Sequence, residues 1–418
     1  MDSSAAPRPD VIIAGAGLNG LTAALLLADV GASVAVVDPA SARRLGDPSG
    51  DWRTTAVSQG AMRALDRVNA WDDGWRDGAI WDIRIVDGES PLFLHYDGAA
   101  LDEGALGCIV PNEALKRRLY ETATAKPEIT FRLGAGVAGF AAGADGVSVD
   151  LTDGDALRSR LLVGADGRGS PVRRLAGIRE RASDYGQTAI VATAAHARPH
   201  RGVAHERFLP AGPFAILPLP DVAPGIEADA PGPHRSSIVW TEAADAAARM
   251  LELERDAFDR ELASRFGDQF GVVRTVGPIG SFPLKLVVSQ RMTGRRLALV
   301  GDAARAIHPI AGQGFNLGLR DSAELAVRAG ERLALGLDPG APDLLSGYAS
   351  ARMSDVAGLI AATDGLNRLF SNSILPVQAA RRLGLAAVEK TPPLKRRFMR
   401  HAMGLAGRAA TLAGDRPV

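Results

Sequence analysis

Residues 11–38 carry a glycine spacing that few folds accommodate. Val11-Ile12-Ile13-Ala14 is a short apolar run, Gly15-Ala16-Gly17-Leu18-Asn19-Gly20 follows it, and Leu21–Val30 is rich in Ala and Leu. Gly31 ends that segment, and Ser33–Val37 is a second apolar run closed by Asp38. A short apolar run between breakers reads as a buried strand and the Ala/Leu segment as a helix, so this stretch predicts a βαβ unit. In G-x-G-x-x-G each glycine has a task. Gly15 permits the tight turn, Gly17 lets a pyrophosphate approach the backbone, and Gly20 lets helix and strand pack closely. Asp38, 18 residues past Gly20, is placed to accept hydrogen bonds from an adenosine ribose. A 2′-phosphate there would meet a negative charge, which favours FAD or NAD over NADP.

A second stretch, Gly301–Asp321, supplies complementary parts. The apolar run Leu297–Val300 ends in Gly301-Asp302, and a loop with His308-Pro309 leads to Gly312-Gln313-Gly314 and an apolar-periodic segment. The order is strand, loop, helix start, helix. A carboxylate at a strand end binds a ribose hydroxyl, and free N–H groups at a glycine-opened helix start hold an anionic ring or phosphate. A third run, Leu161–Gly164, ends in Ala165-Asp166-Gly167, with Arg168, Ser170 and Pro171 behind it. It reads either as another cofactor contact or as an Asp-Gly turn. Arg53, in the polar loop Asp51–Thr55, either faces a phosphate or flavin or lies on the surface.

The rest of the chain reads as a second sheet and a helical end. A helix is expected over Ser58–Val68 and a hairpin from Ile83–Val86 and Leu92–Tyr96 around Asp87–Ser90. Asn112 is expected to cap a helix over Glu113–Ala123. Strands are expected at Thr188–Ala195, Arg207–Leu219 and Ser236–Trp240, a surface loop at Asp221–Pro233 and one helix at Ala247–Phe266. Strands without helical crossovers imply an antiparallel sheet to about residue 288, which would wall a substrate cavity. From Ser322 onward the chain reads as helical.

Lys+Arg and Asp+Glu both number 48. A neutral chain argues against a global nucleic-acid-binding role. Cys108 is the only cysteine, so no internal disulfide or cysteine metal site forms, and a reducing cytoplasm is expected. No apolar run reaches the roughly 18 residues of a membrane span. Residues 381–418 differ from the whole: Arg381, Arg382, Lys390, Lys395, Arg396, Arg397, Arg400, Arg408 and Arg416 stand against Glu389 and Asp415, a local charge of +7. Leu394, Phe398, Met399, Met403 and Leu405 are interleaved. The segment reads either as a solvated helix or as an amphipathic surface for anionic lipid or a partner protein.

With three nucleotide motifs in order, the chain resembles the single-component flavin aromatic hydroxylases, and within them the ubiquinone-biosynthesis hydroxylases of the UbiH/UbiF/VisC type. Tyr185-Gly186-Gln187-Thr188-Ala189, Glu206-Arg207-Phe208, Gly212-Pro213 with Leu217-Pro218-Leu219, His308–Asp321 and Thr363-Asp364-Gly365-Leu366 carry the closer match. The resemblance implies an α/β fold: a Rossmann-like FAD-binding domain, an inserted antiparallel-sheet substrate domain and a C-terminal helical region. The FAD-binding parts would be 1–75, 102–180 and 289–345, the substrate parts 76–101 (the hairpin) and 181–288, and the helical region 346–418.

The same resemblance assigns Gly15, Gly17, Gly20 and Asp38 to the ADP half of FAD. It places Asp166 and Gly167 near the pyrophosphate and the nicotinamide approach, and Gly301 and Asp302 at the ribityl or pyrophosphate region. Gly312, Gln313, Gly314 and Asn316 would lie at the flavin ring, and Arg53 and Asn112 at the flavin or its phosphates. His308 and Pro309 are read either as catalytic residues beside the flavin or as a structural loop. Asp38 stands where Glu is common, and Arg305 where His is often found. The implied activity is hydroxylation of a polyprenylated phenol in coenzyme Q synthesis through a flavin C4a-hydroperoxide, with NAD(P)H or another donor as reductant and O2 as cosubstrate. No residue is named as the base for the phenol; His205 and Tyr185 are the candidates. The expected partners are the lipid substrate, a ubiquinone-biosynthesis protein complex, an anionic membrane surface met through residues 381–418 and a second copy of the chain. The expected location is cytoplasmic and peripheral on the inner membrane face. A hydroxylase of another aromatic, a prenyl-chain reductase and a non-catalytic flavin subunit that presents lipid substrate remain the alternatives.

Overall fold

The computed structural model describes residues 8–48, 50–88, 90–91, 93–101, 104–223, 229–307, 312–370, 384 and 387–403. Among them a six-stranded sheet runs in the order Thr293–Gly294, Leu297–Leu299, Leu161–Gly164, Val11–Ala14, Val34–Asp38 and Ile129–Leu133. Every pairing except the first is parallel. Parallel strands are covered on both faces, which demands unbroken apolar runs. Val11–Ala14, Leu161–Val163 and Leu297–Leu299 meet that demand, all being buried. Helix Leu18–Asp29 crosses between the first two strands of the chain and packs against helix Gln313–Ala334.

An eight-stranded sheet lies beside it, ordered Arg305–Ala306, Val273–Ser289, Glu180–His196, His234–Ala243, Gly212–Leu219, Val203–Leu209, Asp82–Asp87 and Phe93–Asp97. One face carries Ile190, Phe214, Ile216, Ile238 and Trp240 onto Phe258, Leu262 and Phe266 of helix Arg255–Phe266. The opposite face turns toward the loops of the first sheet. The sheet is mixed rather than purely antiparallel, because Val203–Leu209 pairs in parallel with Asp82–Asp87. Two smaller three-stranded sheets complete the strands, one of them joining Thr54–Ser58, Gly107–Pro111 and Ala79–Ile80.

Several sequence expectations are corrected. Arg207–Leu219 is not one strand: Val203–Leu209 and Gly212–Leu219 form a hairpin. Gly212 has φ +145°, and a methyl there would lie 2.5 Å from Thr241 Cγ2. Ala247–Phe266 is two helices, Ala244–Leu251 and Arg255–Phe266. Thr54 and Thr55 are not loop but open the strand Thr54–Ser58, paired with Gly107–Pro111. Asn112 does not cap its helix. It is the first helical residue, with Pro111 before it, and its amide is used elsewhere. Among the described residues no helix is long and apolar enough to cross a membrane.

Candidate functional site

The three nucleotide motifs meet at adjacent strand ends of the six-stranded sheet. Ala165 N–H donates to Ala14 O at 2.8 Å, and Val300 N–H donates to Gly164 O at 3.0 Å. Gly15 has φ +109°, and a methyl on it would lie 2.5 Å from Ala165 O. A methyl on Gly20 would collide with the Gly15 carbonyl. These two glycines are fixed by packing. Gly17 differs: it is exposed, and a methyl there would meet no atom within 4 Å. It precedes helix Leu18–Asp29, whose start no side chain caps. An open cradle at an uncapped helix N-terminus fits an anionic pyrophosphate.

Asp38 accepts from Ala16 N–H at 2.6 Å and Ala40 N–H at 2.7 Å. It therefore shapes the glycine turn with one lone pair per oxygen and retains others for a ribose. Asp166 turns to its own helix, accepting from Ser170 Oγ and, at 2.9 Å, from Val172 N–H. Burial raises its pKa against those bonds. Gly167, with φ +83°, has open space where a side chain would be.

Gly301 has φ +59°, and a methyl on it or on Gly318 would run into Asn19. Asn19, inside the first glycine motif, thus wedges between the Gly301-Asp302 turn and helix Gln313–Ala334. Its Oδ1 is buried without a partner among the described residues, an orphan acceptor suited to a cofactor hydroxyl. The half-buried Asp302 carboxylate receives no hydrogen bond among the described residues. Burial raises its pKa, while Arg168, Arg305 and Arg53 pull the other way.

Helix Gln313–Ala334 starts from Gly312, at φ +61° and without a side-chain cap. A methyl on Gly312 would lie 2.6 Å from Ala56 Cβ, whereas Gly314 has open space. Gln313 is buried beside them. Asn316 stitches this start to the Thr54–Ser58 strand: its Oδ1 accepts from Ser58 N–H at 2.9 Å and its Nδ2 donates to Ala56 O at 2.8 Å. The side chain positions the helix rather than pointing at a ligand.

Arg53 makes a two-point pair with Asp51, at 2.6 and 2.7 Å, with its guanidinium 5.3 Å from the Phe282 ring centre. Asn112 is buried, accepts from Thr55 Oγ1 at 2.6 Å and donates to Asp51 at 3.4 Å. Arg53 lines a cleft of about 220 Å³ with Trp52, Arg168, Val191, Val239 and Phe282. Ile307, at the end of the Gly301-Asp302 segment, closes it. The cleft thus lies between the motif loops and the eight-stranded sheet.

His308 and Pro309 lie outside the described residues. His205 points to the helix-covered face, 5.6 Å from the Phe270 ring centre. Burial, helped by Arg84 and Arg207, lowers its pKa to about 4. It does not face the cleft. The sequence reading missed Asn19 and the buried Asp321, although both sit inside quoted motifs.

The chain matches the FAD binding domain family over residues 8–363. It is 49% identical to ubiquinone hydroxylase UbiL of Rhodospirillum rubrum over 396 residues, 94% of this chain and 89% of that protein. The chain belongs to the ubiquinone-biosynthesis FAD hydroxylases. The Escherichia coli 3-demethoxyubiquinol 3-hydroxylase is 30% identical, covering 95% of this chain and 98% of its own. The fold is shared with p-nitrophenol 4-monooxygenase PnpA from Pseudomonas putida, at TM-score 0.75 and 19% identity over 96% and 99% of the two chains. Membership in this flavin monooxygenase family gives FAD as the cofactor, with a reduced nicotinamide and O2 typical of the class. Arg305 is 4% exposed and donates to Asp321 at 2.6 Å. That pairing gives it a structural task.

Proposed function

We propose that this protein hydroxylates the aromatic ring of a polyprenylated phenol in ubiquinone synthesis. The observation that carries this is the cleft, bounded by Trp52, Arg53, Arg168 and Ile307 on one side and by Val191, Val239 and Phe282 of the eight-stranded sheet on the other. Gly15, Gly17, Gly20, Asn19 and Asp38 would hold the ADP half of FAD, and Asp166, Gly167, Gly301 and Asp302 the pyrophosphate and ribityl region. The uncapped start at Gly312–Gly314 would favour negative charge on the reduced ring, with Arg53 at the cleft mouth. When bound, the flavin supplies oxygen activation and the hydroxyl to be transferred. The chain supplies orientation and dryness: Val191, Val239, Phe282 and Trp52 exclude water that would waste the oxygen. The segments 1–75, 102–180 and 289–345 would act as the FAD-binding unit, with 76–101 and 181–288 as the substrate unit. Purified protein should release FAD on denaturation and, with a reduced nicotinamide and a prenylphenol, consume O2 and yield a product heavier by one oxygen atom. Reduction of a prenyl chain without O2 uptake would replace this reading with the reductase.

The lipid substrate also calls for a route to the bilayer. Helix Pro392–Ala402 buries Met399, with Met403 just beyond it, against Ile80, Leu106 and Ala204, so these methionines are not the lipid anchor that their interleaving suggests. Leu394 and Phe398 stay 39% and 46% exposed, one helical turn apart, beside exposed Arg396 and Arg397. Arg381, Arg382, Leu405, Arg408 and Arg416 lie outside the described residues. Each basic side chain near an anionic surface contributes about 1 kcal/mol before screening. The expected result is binding to anionic vesicles that weakens with salt and falls on replacing Arg396, Arg397 and Arg400 with Gln while FAD stays bound. No cosedimentation at low salt would assign the surface to a partner protein instead.

A further inference from the structure

One row of side chains crosses the cleft-facing side of the eight-stranded sheet. Val191 pairs with Val239, Val239 with Ala215, Ala215 with Glu206 and Glu206 with Ile85. Side chains of directly paired residues share a face, so all five project to one side. Val191 and Val239 belong to the cleft. Ala215, next on the row, is buried and presents only a methyl on that face. Glu206 stands two strand spacings beyond Val239, about 10 Å away.

Glu206 is a charged residue type on an otherwise apolar row. Along its own strand it lies between buried Ala204 and Phe208. Its carboxylate receives no hydrogen bond among the described residues, and it is enclosed by protein while retaining accessible surface. It sits half-buried on the face shared with the cleft residues Val191 and Val239, beside Ala204 and Phe208, which pack with the C-terminal segment. Other titratable groups on this side are Asp87, one place further on the neighbouring strand, Tyr96, and Glu389 paired with Lys395 at 2.8 Å. Burial and the Glu389 charge push Tyr96 up to about 12, which keeps it neutral. His205, Arg84 and Arg207 project from the opposite face.

We propose that Glu206 accepts the hydroxyl proton of a phenol lying on this row, and so is a catalytic residue of the hydroxylation. The inference rests on the phenol-hydroxylating reading above. In the step the phenol O–H bond breaks, its proton bonds to a Glu206 carboxylate oxygen, and the electron pair stays on the phenol oxygen. The ring gains electron density at the positions ortho and para to it, where an electrophilic oxygen is accepted. The proton later leaves to solvent. Burial raises the Glu206 carboxyl to about 7. Against a phenol near 10, that narrows the mismatch from about six pH units for an ordinary carboxylate to about three.

The test uses FAD-loaded wild type, Glu206→Gln and Glu206→Asp, with a phenol carrying one short prenyl chain and its O-methyl ether. Wild type should bind the phenol about tenfold or more tighter than the ether, and Glu206→Gln should bind both alike. Hydroxylated product per O2 consumed should climb with pH through about 7 in wild type, as the carboxylate forms. In Glu206→Gln it should be flat and about 100-fold lower. Glu206→Asp should keep the rising limb at a reduced yield, because its carboxylate is one methylene shorter. A Gln variant with an unchanged limb and preference overturns the proposal. If the Gln variant does not fold, the Asp variant decides: loss of the limb or an unreduced yield overturns it equally. A purely structural glutamate would change stability but neither the limb nor the preference. Should wild type fail to hydroxylate any phenol, the broader reading falls with the inference; wild-type turnover beside an unaffected Gln variant removes the inference alone.

Discussion

Asp321→Asn is expected to cost about 3–5 kcal/mol of folding stability, the usual scale when one partner of a buried ion pair is removed, and to release FAD. Asp321 is fully buried. Its Oδ1 accepts from Arg305 Nη2 at 2.6 Å and Arg352 Nε at 2.7 Å, and its Oδ2 from Gly301 N–H at 3.0 Å. Arg352 and Arg320 share a second carboxylate, Asp355, at 2.7 and 3.2 Å. Three buried guanidiniums thus rest on two carboxylates. Among the described residues Arg305 Nε, Arg320 Nε and Arg352 Nη2 already lack partners. Converting Asp321 to an amide leaves three nearly buried cations facing one carboxylate, the half-buried Asp355. The damage reaches the cofactor site through Gly301, because the N–H that Asp321 holds belongs to the turn carrying Asp302. Denaturant unfolding should show a lower midpoint, with flavin fluorescence released before the main transition. An unchanged midpoint would refute the network's role.

How far the sequence revealed this site depends on whether a residue's task is local. The first glycine motif was legible because turn, helix start and strand follow each other along the chain, and Val11–Ala14 appears as a strand at the expected residues. Glu206 and Asp321 were not legible as functional residues. The position of Glu206 becomes meaningful only through pairings with Ala215 and Ile85, from strands distant in the chain. Asp321 gains its partners from residues 20 positions before it and 31 after. Arg207–Leu219 was misread because Pro210 and Ala211 make a short turn between the strands Val203–Leu209 and Gly212–Leu219, and apolar content alone does not show where a strand reverses. Asn112 looked like a cap by type, but its helix begins one residue earlier and its amide serves Thr55 and Asp51. Side chains committed across the fold carry no local signature.

Replacing Gly17 or Gly314 with Val should leave the apo fold intact and weaken FAD binding at least about 100-fold, roughly 3 kcal/mol. Both positions have open space where a side chain would be, and neither has a positive φ. The protein itself therefore offers no objection to a side chain there. Gly15 and Gly20 are the controls: a side chain on either meets backbone within the first glycine motif or the neighbouring Ala165 strand end, so Val there should cost folding itself. The contrast separates two reasons for a glycine. One is packing within the protein, and the other is room for a ligand to touch the backbone. At Gly17 a branched side chain would occupy the space above an uncapped helix start, where a pyrophosphate gains most from backbone N–H groups. At Gly314 it would stand over the start of helix Gln313–Ala334, where the flavin ring would lie. Circular dichroism and unfolding of apo protein should match wild type for both variants, while FAD titration by fluorescence should show the loss. If Gly17→Val binds FAD as tightly as wild type, the pyrophosphate does not lie against that turn. If both apo variants unfold instead, these glycines serve the fold and the open space above them has another cause.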